Sequence, residues 1–129
     1  MKTLFEKRKL SCILFVVITT VTSMAFAGYH VVLEVSITSN GASGTMSAAR
    51  FSSDGVQYIG CETRVSSSYL EIFCHATDEE KHYISCSTND PAFLPVVSSI
   101  SSESFISFTV EDDKKCKEIQ VTNASYLIY

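Results

Sequence analysis

From position 30 onward, apolar and polar residues alternate along most of the chain. Val31, Leu33, Val35 and Ile37 alternate with Val32, Glu34 and Ser36, the period-two pattern of a half-buried strand over residues 30–38. The stretch Ser39-Asn40-Gly41-Ala42-Ser43-Gly44 has the composition of a turn. Residues 45–53 suit a short helix or an edge strand, and Ser53-Asp54-Gly55 marks a second turn. The pattern then sharpens. Residues 57–65 put Ile59, Cys61, Thr63 and Val65 on one face, and residues 69–76 put Leu70, Ile72, Cys74 and Ala76 on one face. Serines 66–68 lie between these runs, so a hairpin turning at Ser67-Ser68 sets Cys61 opposite Cys74. Asp78-Glu79-Glu80-Lys81 is a charged turn, after which residues 82–88 return with Ile84 and Cys86 on one face.

Asn89-Asp90-Pro91 is a helix start, a capping side chain followed by proline in the first turn, and it predicts a short helix over 91–100 in which Pro95 is tolerated near the start. Residues 105–110 and 118–122 read as strands across the turn Asp112-Asp113-Lys114-Lys115, and residues 126–129 extend the second strand or form a last one. The sum is a mainly β, small antiparallel sandwich or barrel-like domain with one short helix, braced by disulfides.

The first 27 residues break this pattern. Lys2, Lys7, Arg8 and Lys9 precede the apolar run Ile13 to Ile18, and Ala25-Phe26-Ala27 supplies a small-x-small site. This is the pattern of a cleaved signal peptide, with a mature domain at 28–129. The apolar run is shorter than the roughly 20 residues a spanning helix needs, and Cys12 precedes it, where lipid attachment does not occur. The expected location is therefore secreted or periplasmic, without stable membrane insertion after cleavage.

Export changes the reading of the cysteines. Cys61, Cys74, Cys86 and Cys116 are an even set in an oxidising compartment and contain no C-x-x-C pair, so disulfides are favoured over zinc. The hairpin register favours Cys61 with Cys74, leaving Cys86 with Cys116; Cys74 with Cys86 fits a sheet nearly as well, and sequence leaves the alternatives open. Charge excludes one class of partner. Six basic residues face 13 acidic ones in 28–129, a formal charge of −7, against the basic surface that nucleic-acid binding needs.

Candidate chemistry is sparse. His75, Asp78, Glu79, Glu80 and His82 surround one turn with metal-binding side chains, but a solvated hairpin tip explains them as well, and no cofactor is implied. No G-x-S-x-G or S-x-x-K motif is present, and nothing assembles a catalytic triad. Arg50 and Asp54 beside Gln57-Tyr58 suggest an ion pair bracing the turn or a polar ligand patch. Tyr58, Tyr69 and Phe73 have the opposite parity to the cysteines, so with Arg50 and Asp54 they form the candidate binding surface unless a second layer covers them. Asn123-Ala124-Ser125 matches a glycosylation acceptor, idle if the producer is a bacterium.

The segment from Ala49 to Cys61, with the later cysteines and Val121-Thr122-Asn123-Ala124-Ser125-Tyr126, resembles small exported bacterial proteins of uncharacterised function. The resemblance implies a bacterial, extracytoplasmic setting and no activity. The functional expectation is an exported, non-enzymatic interaction module for a protein or glycan. The alternatives are a small secreted hydrolase or metal-dependent enzyme using His75 and His82, and a secreted inhibitor or effector.

Overall fold

A computed structural model describes residues 28–127; residues 1–27, where the signal peptide is expected, and 128–129 lie outside the described residues. The chain runs β1 (Ser36–Thr38), β2 (Gly41–Thr45), α1 (Met46–Arg50), β3 (Tyr58–Ser66), β4 (Tyr69–Thr77), β5 (Tyr83–Thr88), a 3-10 turn at Pro91–Phe93, α2 (Leu94–Ser98), β6 (Phe105–Val110), β7 (Cys116–Thr122) and a 3-10 turn at Ser125–Leu127. The strands form two antiparallel sheets, ordered β1-β2-β6-β7 and β3-β4-β5. The mainly β, disulfide-braced architecture read from the sequence is the one observed, in a sandwich-like arrangement.

One core serves both sheets. Ile59, Ile72, Cys74, Ala76 and Cys86 of the second sheet share a cluster with Ala42, Ile106, Phe108, Cys116 and Ile119 of the first, closed at the sides by Ala49 of α1 and Val97 of α2. Phe108, Ile72 and Ile106 are almost wholly buried, each contributing about 1.5–3 kcal/mol of transfer free energy. The disulfides join Cys61 to Cys74 within the hairpin and Cys86 to Cys116 between the sheets. Beside the second bridge, the Ser87 amide donates to the Lys114 carbonyl at 3.0 Å, so β5 and the segment leading into β7 touch through backbone as well as sulfur.

The hairpin turns at Ser67-Ser68, with Ser66 opposite Tyr69 and Cys61 opposite Cys74. Cys86 faces Cys74 from the other side. The Asp90 carboxylate caps its 3-10 turn by accepting from the Ala92 amide at 2.9 Å, and Pro95 sits at the start of α2, where its missing N–H costs nothing.

Several elements depart from the sequence reading. The predicted turn at 39–44 is largely strand: only Ser39 and Asn40 turn, and Gly41–Thr45 lies between β1 and β6. Its small residues answer to close backbone packing. A Cβ at Gly41 would strike the Phe108 carbonyl oxygen, and one at Gly44 would come within 3.0 Å of the Val35 Cα. Residues 45–53, open between helix and strand, hold the single turn α1. The predicted strand over 30–38 is regular only at Ser36–Thr38. Before it, the chain is pinned by other groups: Val31 donates to the Tyr126 carbonyl, Leu33 accepts from the Thr45 amide and hydroxyl, and the Val35 amide donates to the Gln57 side chain. The strand expected from residue 126 is instead a 3-10 turn as far as Leu127, whose side chain is buried. Among the described residues no helix is long and apolar enough to cross a membrane.

Candidate functional site

Cross-strand partners share a face of a sheet, and one face of β3-β4-β5 is spent on the core. The other carries successive rungs: Tyr58, Thr77 and Tyr83; Gly60, His75 and Ser85; Glu62, Phe73 and Ser87; then Arg64 with Glu71, and Ser66 with Tyr69. Tyr58, Tyr69 and Tyr83 are 38%, 51% and 56% exposed, so among the described residues no second layer covers them.

His75 is the centre of this face. Its ring lies 5.1 Å from Tyr58, edge-on at 61°, and 5.3 Å from Phe73 at 41°, distances at which aromatic rings attract. Its Nε2 is 3.7 Å from Glu62 Oε1. A Cβ placed on Gly60 would meet nothing within 4 Å. The missing side chain therefore leaves an opening beside His75, between Tyr58 and Glu62 along the strand. Toward the hairpin tip, Arg64 bridges Glu62 at 3.5 Å and Glu71 at 3.9 Å, while the Tyr69 hydroxyl donates to Glu71 at 2.6 Å. That hydrogen bond, with some desolvation and the nearby carboxylate charge, raises the Tyr69 pKa.

The face can stack a flat ring or sugar plane on aromatic surface and receive hydroxyl or amide donors on Glu62 and Glu71. Sequence parity brought Tyr58 and Phe73 here and put Tyr69 at its far end. It missed Tyr83 and the packed position of His75, which is half-buried against the two rings instead of pointing free to solvent. The parity of β5, with Tyr83, Ser85 and Ser87 opposite to Cys86, carried the signal for Tyr83.

The other candidates resolve into structural roles. Asp54 accepts from the amides of Val56 at 2.6 Å and Gln57 at 3.0 Å, from Gln57 Nε2 at 2.6 Å and from the Ser52 hydroxyl at 3.2 Å. The Gln57 side-chain bond leads these in holding its carboxyl at about 2. Among the described residues no ion pair joins it to Arg50, so the expected Arg50–Asp54 brace is replaced by Asp54–Gln57. The nearer partner wins because it offers both an amide and a backbone N–H in fixed geometry. Arg50 stays exposed and lines a shallow depression with Tyr58, Met46 and Ser102 at the flank of the face.

His75 and His82 have separate partners. His82 donates its backbone amide to Asp78 Oδ1 at 2.9 Å, its Nδ1 lies 2.9 Å from Asp78 Oδ2, and Glu80 is 3.7 Å away. The Asp78 amide donates in return to the His82 carbonyl at 3.2 Å, locking a turn in which Lys81 takes a φ of 69°. The hydrogen bond with Asp78 raises the His82 pKa; desolvation opposes ionisation of Asp78, but its bonds from His82 outweigh that and lower its pKa. Among the described residues no group of three or more His, Cys, Asp or Glu side chains is placed to hold a metal ion.

Asn123 is likewise committed. Its Nδ2 donates to the Ser99 carbonyl at 3.0 Å and its Oδ1 accepts from the hydroxyls of Ser101 and Ser104, tying the segment after α2 to the end of β7. A glycan on Nδ2 would replace one of its protons and crowd that contact.

No known protein family matches the chain, and comparisons with curated proteins and with solved structures find no match.

Proposed function

We propose that the protein is an exported, non-enzymatic binding module whose ligand surface is the outer face of β3-β4-β5, and that its ligand is a glycan. One observation carries this reading: Tyr58 and Tyr83 lie exposed, beside the partly buried Phe73–His75 pair, on a sheet whose opposite face already supplies the core. Clustered aromatic area left in water is unfavourable, which supports an occupant for this face.

The chemistry favours a sugar over a protein partner. Protein-binding centres concentrate aromatics with charge excluded; here the rings alternate with Gly60, Ser85, Ser87 and Thr77 and are flanked by Glu62 and Glu71. A contacting row of rings with carboxylate acceptors at its margin suits a polyhydroxylated ring. Two disulfides support an extracytoplasmic setting, the signal-like residues 1–27 supply the route, and the resemblance of residues 49–61 suggests a bacterial producer.

The test is calorimetric titration of the oxidised protein with a panel of soluble envelope and host glycans, alongside purified envelope proteins. Saturable binding to one glycan, weakened at least tenfold by the double replacement Tyr58→Ala and Tyr83→Ala, is the expected result. Binding only to a protein, or equal binding by the double variant, would overturn it.

A further inference from the structure

We propose that β3 is a self-association edge: two copies of the chain pair their β3 strands antiparallel about Thr63, joining two three-stranded sheets into one of six. The proposal is independent of the ligand reading. β3 is the outermost strand of its sheet, and from Glu62 to Ser66 all of its residues are exposed, with Val65 67% exposed. It carries neither proline nor lysine, and its two charges, Glu62 and Arg64, are of opposite sign.

The ladder with β4 fixes which backbone groups face outward. The Cα atoms of Cys61 and Cys74 are only 4.0 Å apart, the close spacing of a non-hydrogen-bonded pair. Hydrogen-bonded and non-hydrogen-bonded pairs alternate, so Cys61, Thr63 and Val65 all turn their N–H and C=O groups away from β4. Among the described residues no backbone bond from another element is made to these three. They are a ready template for another strand.

Side chains then select the occupant. Continuing the sheet with both core faces on the same side requires residues of equal parity to stand opposite one another. Centring on Glu62 sets Glu62 against Glu62, and centring on Arg64 sets Arg64 against Arg64. Centring on Thr63 sets Glu62 of each copy opposite Arg64 of the other. It also makes Thr63 with Thr63 a hydrogen-bonded pair, exchanging both of the outward groups, and repeats this between Cys61 and Val65 on either side. Glu62 and Arg64 fall in the non-hydrogen-bonded positions, where side chains approach most closely. Backbone geometry and charge thus choose the same register, and Val65 is covered beside the half-buried Cys61 of the other copy. The two-fold axis is perpendicular to the sheet, so the Tyr58–His75 faces of both copies look the same way and present a bivalent surface.

Sedimentation velocity on the oxidised protein across a wide concentration range tests this. The wild type is expected to dimerise reversibly. Arg64→Glu sets Glu62 against a glutamate and Glu62→Arg sets Arg64 against an arginine, and each is expected to weaken the dimer by roughly ten- to a hundredfold. The double exchange Glu62→Arg with Arg64→Glu restores opposite charges and recovers the dimer, which distinguishes pairing from misfolding of a single variant. A wild type that stays monomeric at every concentration, or a dimer indifferent to both single replacements, would overturn the proposal.

Discussion

Gln57 donates from Nε2 to Asp54 Oδ2 at 2.6 Å while its Oε1 accepts the Val35 amide at 2.9 Å. One buried side chain therefore joins the N-terminal segment to the turn that launches β3, and Tyr58 follows it directly. Gln57→Ala leaves the Val35 amide buried without an acceptor, which costs about 1–3 kcal/mol. Urea unfolding of the oxidised variant is expected to show the midpoint lowered with the slope unchanged, and Gln57→Glu to be worse than alanine because it sets two carboxylates together.

Acid should act through the same turn. The folded Asp54 pKa is depressed to about 2 from 3.8, so its contribution is present above about pH 4 and is lost as pH falls toward about 2. Asp54→Asn is expected to flatten the stability profile over that window. His82 runs the other way. Its folded pKa is raised above 6.5, so its contribution is complete below 6.5 and is lost as pH rises through the raised value. NMR titration of the His82 ring locates that second limb, and Asp78→Asn should bring the ring's pKa down.

Cys74 stands in register between Cys61 and Cys86 and is bonded to Cys61. Peptide mapping without reduction is expected to recover Cys61 with Cys74 and Cys86 with Cys116. The two bridges differ in what they hold. The first reinforces a hairpin that the backbone ladder already closes, across a separation of 13 residues; the second closes 30 residues and joins the sheets. Chain entropy assigns them about 3 and 4 kcal/mol. Replacing Cys86 and Cys116 by alanine should cost more stability than replacing Cys61 and Cys74, and should expose Phe108 and Ile119 to a hydrophobic dye.

The sequence was legible where structure is local. Period-two alternation with a serine turn was enough to set Cys61 against Cys74, and Asn89-Asp90-Pro91 announced the capped 3-10 turn at Pro91–Phe93 that leads into the shorter α2, because a cap is a contact between near neighbours. It failed where the cause is distant. Gly41 and Gly44 look like turn residues, yet their lack of side chain serves the backbones of Phe108 and Val35, which only the assembled sheet brings near. Gln57 gave no signal because its second partner lies 22 residues away. The aromatic face was half legible: parity put Tyr58 and Phe73 together and carried an unused signal for Tyr83 in β5, whereas the gap at Gly60 beside His75 needed the register of β3 on β4.

If the outer face of β3-β4-β5 is the ligand surface, residue-resolved NMR titration of the isotopically labelled, oxidised protein with the glycans that bind in calorimetry will locate the contact there. Saturable shifts are expected to gather at Tyr58, Gly60, Phe73, His75, Tyr83 and Ser85, with the core-facing Ile72 and Cys74 little changed. Shifts gathered elsewhere in the molecule, or none with any glycan, would contradict it.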